Sequence, residues 1–183
     1  MKIDKLSFSE TGQFSPIFLD YITGKPDLQD FYHHRPDMPG FEAQLAEKQL
    51  PQAQRETLSR ILQQQYASIE APEAVSRNIE LLANSKTFTV TTGHQLNIFT
   101  GPLYFIYKIV TTINTCRKLQ EDFPNYHFVP VYWMASEDHD FEEISHFHLF
   151  GKDYVWQTDQ KGAVGRFSRS EEHTSELQSL LII

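Results

Sequence analysis

Two polar stretches of the chain carry the residue types that acid–base and anion chemistry requires. The first runs Thr92-Gly93-His94-Gln95-Leu96-Asn97 and leads through Thr100-Gly101-Pro102 into an aromatic helical segment. Gly93 permits a tight turn or a close backbone approach, Thr100 or Gly101 can cap the helix, and Pro102 suits its first turn. The free N–H groups and positive dipole end of such a helix favour an anion, with His94, Gln95 and Asn97 as side-chain contacts to a phosphate or carboxylate. Neither the Walker A nor the dinucleotide-binding glycine pattern is present. The second stretch is Ser136-Glu137-Asp138-His139-Asp140, continued by Phe141-Glu142-Glu143. Asp138 or His139 could orient an amine or act as a base. The same acidic set could hold a metal, yet no second His or Cys lies at a zinc spacing, and no metal ligand is assigned. Carboxylates also favour a helix start for purely structural reasons. Lys108 reads as a snorkelling surface residue, His146 and His148 as a solvated pair, and His33, His34 and Cys116 as structural.

The elements around these stretches place them together. Residues 1 to 39 hold short helices and loops, broken by Gly24, Pro26, Pro36 and Pro39. From Phe41 to Asn84 apolar residues recur at three- and four-residue spacings, which predicts two or three helices, with Pro51 and Pro72 at first helical positions. Phe88 to Thr91 reads as a strand, Pro102 to Gln120 as a helix buried against a sheet, and Phe128 to Met134 as a strand covered on both faces. Strand, helix, strand is a right-handed βαβ unit, and both polar stretches then leave the carboxyl edge of its sheet, where open α/β folds bind ligands. Asp140 with Glu143 has the form of an N-cap box. His146 to Phe150 and Tyr154 to Thr158, flanking Gly151-Lys152-Asp153, predict a hairpin.

Composition narrows the class. The chain has 183 residues, 40% of them hydrophobic and 13% aromatic, enough for one ordinary domain with a core. Sixteen basic against twenty-four acidic residues give a net charge of −8, without any basic cluster, so a nucleic-acid partner is not expected. The single cysteine excludes an internal disulfide framework, and no apolar stretch has signal-peptide or membrane-span length. The expected location is the cytoplasm, with no membrane partner.

Taken together, TTGHQLNIFTGPLYFIYKIVTTI, VPVYWMASEDHDFEEI and GAVGR (Gly162 to Arg166) resemble the family of bacillithiol-biosynthesis cysteine-adding enzymes, BshC. The likeness extends from the N-terminus to about Ser168. It implies an α/β fold with a Rossmann-like core related to nucleotidyl-transferring synthetases, truncated here, and a coiled coil beyond it in the intact family. The domains expected are a helical segment at 1–85 packed on the core and a partial Rossmann-like domain at 86–168. The activity implied is attachment of cysteine to glucosamine-malate by an amide bond, driven by ATP with magnesium. Cysteine and glucosamine-malate are then the partners, and a homo-oligomeric intact protein is compatible with the likeness. By the same likeness Thr92, Gly93, His94 and Gln95 stand in place of the synthetases' phosphate-handling histidine motif. The catalytic candidates are His94, Asp138 and His139; the substrate- or nucleotide-binding candidates are Thr92, Gly93, Gln95, Asn97, Thr100, Gly101, Trp133 and Glu137.

A second resemblance concerns residues 169–183. RSEEHTSELQS, Arg169 to Ser179, resembles an in-frame translation of a sequencing adapter, so this tail is expected to be non-native, leaving −6 for the stretch before it. A fragment of this kind is expected to be inactive alone and to expose a strand edge. Two rival functions are a metal-dependent hydrolase using His94, Asp138, His139 and Asp140, and a non-catalytic nucleotide- or acid-binding module.

Overall fold

The computed structural model describes residues 4–167 and the backbone of residues 180–182. Residues 1–49 and the chain from residue 50 onward form separate units. In the first, helix α1 (Pro16–Thr23) and helix α2 (Met38–Glu47) are joined through a 3-10 turn, Pro26–Phe31. Ser15 caps α1 through the Phe18 N–H, and Asp37 caps α2 through the Gly40 N–H. Each supplies an acceptor to a donor that has no partner inside its helix.

The second unit begins with α3 (Gln52–Tyr66) and α4 (Glu73–Leu81). Pro51 and Pro72, expected at first helical positions, stand one place earlier as the N-cap residues of these helices. Leu62, Val75, Ile79 and Leu82 meet Val129 and Val131 of the sheet in the main core cluster. Leu62, Ile79 and Val129 are each fully buried, worth roughly 1.5–3 kcal/mol apiece. The expected 1–85 segment therefore divides: residues 50–85 pack on the sheet, whereas residues 1–49 make a unit of their own. The buried Arg55 on α3 donates to Leu50 O, Asn84 O and Thr87 O at 3.3, 3.1 and 2.8 Å. It ties both ends of the helix pair to the start of the first strand.

Strand β1 (Thr87–Gln95), helix α5 (Leu103–Asp122) and strand β2 (His127–Ala135) form the expected parallel βαβ unit, in register from Thr87↔His127 to Gln95↔Ala135. β1 runs four residues past its predicted end. Gly93, His94 and Gln95 are strand, not loop, because β2 supplies a partner through Ala135. Four consecutive residues of β2, Val129 to Tyr132, are buried, as a doubly covered strand requires. α5 departs from expectation. Its sheet-facing side buries Thr112, Cys116 and Leu119, while Leu103, Tyr104, Ile106, Tyr107 and Val110 are exposed, since the described elements cover one side of it.

Beyond β2, α6 (Glu142–Ser145) is preceded by Phe141, not Asp140, at its N-cap. The predicted box does not form because the Asp140 N–H bonds instead to Asp138 Oδ1 at 3.0 Å. The hairpin pairs β3 (His146–Leu149) with β4 (Lys152–Val155). Its turn is Phe150-Gly151 with φ of 49° and 75°, so Lys152 and Asp153 are strand residues rather than turn. Two successive positive φ angles match the right-handed twist of a hairpin. Residues 169–179 lie outside the described residues. The backbone of β5 (Leu180–Ile182) pairs antiparallel with Val131–Trp133, so the edge expected to be bare is covered at these three positions.

Candidate functional site

β1 and β2 end in step at Gln95 and Ala135, so both polar stretches leave the same sheet edge about one strand spacing, roughly 4.8 Å, apart. Gly93 is required there for close approach: a Cβ would lie 2.7 Å from Trp133 O. His94, one residue on, is buried. Its Nδ1 lies 3.0 Å from Gln95 O, which can only accept, so Nδ1 carries a proton. In the neutral ring Nε2 then accepts from the Tyr104 hydroxyl at 2.6 Å. Glu143 Oε2 lies 3.9 Å from Nδ1, and the Phe105 ring stands edge-on at 6.2 Å.

Tyr104 and Lys108 lie one turn apart on α5. The Lys108 ammonium donates to Gly93 O at 3.1 Å and sits 5.4 Å from the Tyr104 ring centre. Lys108 is therefore part of the β1 edge rather than a free surface residue. Sequence reasoning passed over Tyr104 altogether. Its signal was available: a tyrosine and a lysine four residues apart in the first turns of the helix that follows the histidine.

The second polar stretch meets the first through Gln95. Its Nε2 reaches Asp140 Oδ2 at 3.5 Å. That amide and the Asp140 N–H together hold the Asp138 carboxyl below the usual carboxylate range. The GAVGR segment closes over the same turn. Val164 N–H donates to Asp138 O at 2.7 Å and Gly165 N–H to Ser136 O at 2.9 Å. A Cβ on Gly165 would lie 2.6 Å from both Cβ and O of Ser136. His94, Gln95, Asp138, Asp140, Glu143 and Gly165 thus come together from three separated segments.

The other candidates fall differently. Trp133 Nε1 donates to Glu137 Oε1 at 3.3 Å, so these two pair with each other. His139 is exposed beside Asp138. Thr92 is a strand residue opposite Tyr132. Neither Thr100 nor Gly101 caps α5. Pro102 takes the N-cap position without a side-chain hydrogen bond, the Thr100 hydroxyl bonds to Phe99 O, and the Gly101 N–H is taken by Ile98 O at 2.9 Å. The geometry behind this is a run of three left-handed residues, Phe99, Thr100 and Gly101, with φ of 52°, 70° and 62°. Two of them are non-glycine, a conformation that costs of order 1–2 kcal/mol each and recurs at functional loops. Asn97 packs on Gly101 and, with Gln95, edges a cavity of about 440 Å³. Its remaining walls include Tyr66, Val75, Phe105, Tyr132 and Met134, an apolar chamber with two carboxamides at its rim. Burial pushes the Tyr132 phenol up from its ordinary value.

The metal reading can be tested on ligand geometry. Among the described residues the grouping of three His, Cys, Asp or Glu side chains with convergent donor atoms is His33, His34 and Glu47; His94, Asp138, His139 and Asp140 make no such group. No helix among the described residues is long and apolar enough to cross a membrane.

The family model for the N-terminal Rossmann-like domain of the bacillithiol biosynthesis protein BshC matches residues 1–182. A Flavobacterium psychrophilum protein named "Putative cysteine ligase BshC" is 50% identical over 171 residues, covering 92% of this chain and 32% of the relative. Proteins of the same name from Flavobacterium johnsoniae and Bacillus thuringiensis are 48% and 30% identical, over 92% and 80% of this chain and 32% and 26% of their own lengths. The chain spans about a third of the length of these two Flavobacterium relatives. This chain belongs to the BshC family of bacillithiol biosynthesis and corresponds to its N-terminal Rossmann-like domain.

Proposed function

We propose that the edge formed by His94, Gln95, Asp138 and Asp140 is the part of a cysteine ligase that handles an activated carboxylate and its nucleotide. The observation that carries this reading is the meeting of three segments at one sheet edge: Gln95 on Asp138 and Asp140, and Val164 and Gly165 on the Ser136–Asp138 turn. In the intact protein the reaction is amide formation between cysteine and glucosamine-malate. Joining a carboxylate to an amine in water is uphill, so a carboxylate oxygen first attacks a phosphorus of ATP and a phosphate-bearing group departs. The cysteine amine then attacks the acyl carbon, the C–N bond forms, the C–O bond to phosphate breaks, and the nitrogen loses a proton.

Each role follows from a position. Leu103 opens α5 without a side-chain cap, so the first N–H groups of the helix favour an anion. The Lys108 ammonium, held at Gly93 O beside the Tyr104 ring whose hydroxyl orients His94, is placed to stabilise developing negative charge. Asp138 stays ionised and attracts the incoming amine, with exposed His139 beside it as base. Asp138 and Asp140 would hold the magnesium of a bound nucleotide. The neighbouring carboxylates of Asp138 and Asp140 fit it in chemistry, since hard cations take oxygen ligands.

The test uses a full-length family member with cysteine, glucosamine-malate and ATP, following product mass together with AMP and ADP release. Nucleotide consumption that requires both substrates is expected, and His94→Ala should lower the rate on the order of a hundredfold while the fold persists. Activity unchanged in the folded variant would remove His94 from the site. Turnover without nucleotide, abolished by a chelator, would favour the hydrolase reading instead.

A further inference from the structure

A second cluster lies in the first unit. Nε2 of His33 and Nε2 of His34 approach the same Glu47 oxygen, at 2.6 and 3.1 Å. The three donor atoms lie within 4.8 Å of one another. His33 and His34 sit in the bend before α2 and Glu47 is the last residue of that helix, so α2 returns the carboxylate to the bend. Two adjacent histidines facing one carboxylate are more than an ordinary surface ion pair supplies.

The bend is held on both sides. Before it, the Tyr32 ring stands edge-on to Tyr21 at 5.6 Å. After it, the Arg35 guanidinium donates to Tyr21 O and Ile22 O, both at 3.2 Å, and lies 3.6 Å from Asp37, which caps α2. These contacts fix the backbone that carries the imidazoles before any ligand arrives. The His34 side chain is 23% exposed and that of His33 is 71% exposed, so one ligand is anchored and the other free to adjust.

We propose that His33, His34 and Glu47 form a binding site for a divalent transition-metal ion of the zinc class. Zinc bonds nitrogen and oxygen at about 2.0–2.1 Å, which places neighbouring tetrahedral ligands roughly 3.3 Å apart. The Glu47 oxygen lies 2.6 and 3.1 Å from the two imidazole nitrogens, a little inside that value, and all three donor atoms fall within 4.8 Å, so small side-chain rotations suffice. Two imidazoles and one carboxylate form the donor set of open zinc sites, in which water or a substrate takes the fourth position. Imidazole nitrogen selects zinc, nickel or copper over magnesium and calcium.

The experiment titrates the 183-residue chain with zinc by calorimetry and with cobalt by visible absorption. One equivalent is expected, with ligand-field bands of a four- or five-coordinate ion and no competition from magnesium. His34→Ala and Glu47→Gln should each weaken zinc by at least about tenfold. His33→Ala provides a variant whose exposed side chain is not needed for folding, and it should weaken zinc as well. Circular dichroism confirms that each variant is folded. The proposal is overturned if the wild-type chain takes up no zinc at millimolar concentration. It is equally overturned if a folded triple variant binds zinc with unchanged stoichiometry and affinity.

Discussion

Gly165→Ala separates a steric requirement from a conformational one at the candidate site. Gly165 has no positive φ, so alanine meets no backbone penalty there. What it meets is Ser136: the added methyl would lie 2.6 Å from both the Cβ and the carbonyl oxygen, distances that atoms of a rigid turn do not allow. The GAVGR segment must therefore lift from the Ser136–Asp138 turn. Lifting gives up the bonds from Val164 N–H and Gly165 N–H, about 1 kcal/mol each, and exposes the buried Val164 at about 1.5–3 kcal/mol. Full undocking thus costs roughly 3–5 kcal/mol, against about 1 kcal/mol if Ser136 can shift instead. Gly162→Ala is the contrast. Its φ is 106° with open space around it, so its cost is conformational and leaves the turn seated. Urea unfolding gives the global loss, and hydrogen exchange at the amides of 164 and 165 gives the local one. A Gly165→Ala chain with unchanged midpoint and full protection at both amides would refute the close-packing argument, and with it the view that GAVGR shapes the site.

Tyr104→Phe, in a full-length family member, should lower the ligase rate by about tenfold or more with stability retained, because only the hydroxyl facing His94 is lost; an unchanged rate would make Tyr104 a bystander. Burial pushes the Cys116 thiol up to about 11, so at pH 8 the folded chain should react with iodoacetamide more than about a hundredfold slower than the urea-unfolded chain. Equal rates would contradict its burial. Arg55→Lys should destabilise by about 2–3 kcal/mol in urea, since one ammonium cannot span three carbonyls set around a guanidinium; a change below about 0.5 kcal/mol would show that the three bonds contribute little.

The βαβ unit was legible because its evidence is local: the unbroken apolar run of β2 and the Thr-Gly-Pro entry to α5 both lie within a few residues. The length of β1 was not. Nothing in Gly93-His94-Gln95 favours strand, and the conformation comes from β2, more than thirty residues away. Asp140 and Glu143 carried a genuine capping pattern, but the nearer Asp138 carboxylate took the Asp140 N–H first. The meeting of Gln95 with Asp138 and Asp140 was foreseeable from the rule that ligand loops share the carboxyl edge. The Tyr104–His94 bond was not, since it depends on how α5 lies across that edge. The His33, His34 and Glu47 donors are separated by thirteen and fourteen residues, a spacing that matches no local metal motif.

The clasp made by Arg55 also bears on how the second unit comes together. Its guanidinium is satisfied by carbonyls from the chain before α3, the chain after α4 and the first residue of β1. A state with only one or two of these in place leaves a cation out of water with unfilled donors, which is worse than leaving it solvated. Intermediates that dock α3 without α4, or the helix pair without the strand, are therefore selectively penalised. The arginine works as a coincidence detector during folding. It should make the helical pair and the first strand unfold in one step, with the carboxyl edge of the sheet failing all at once rather than fraying.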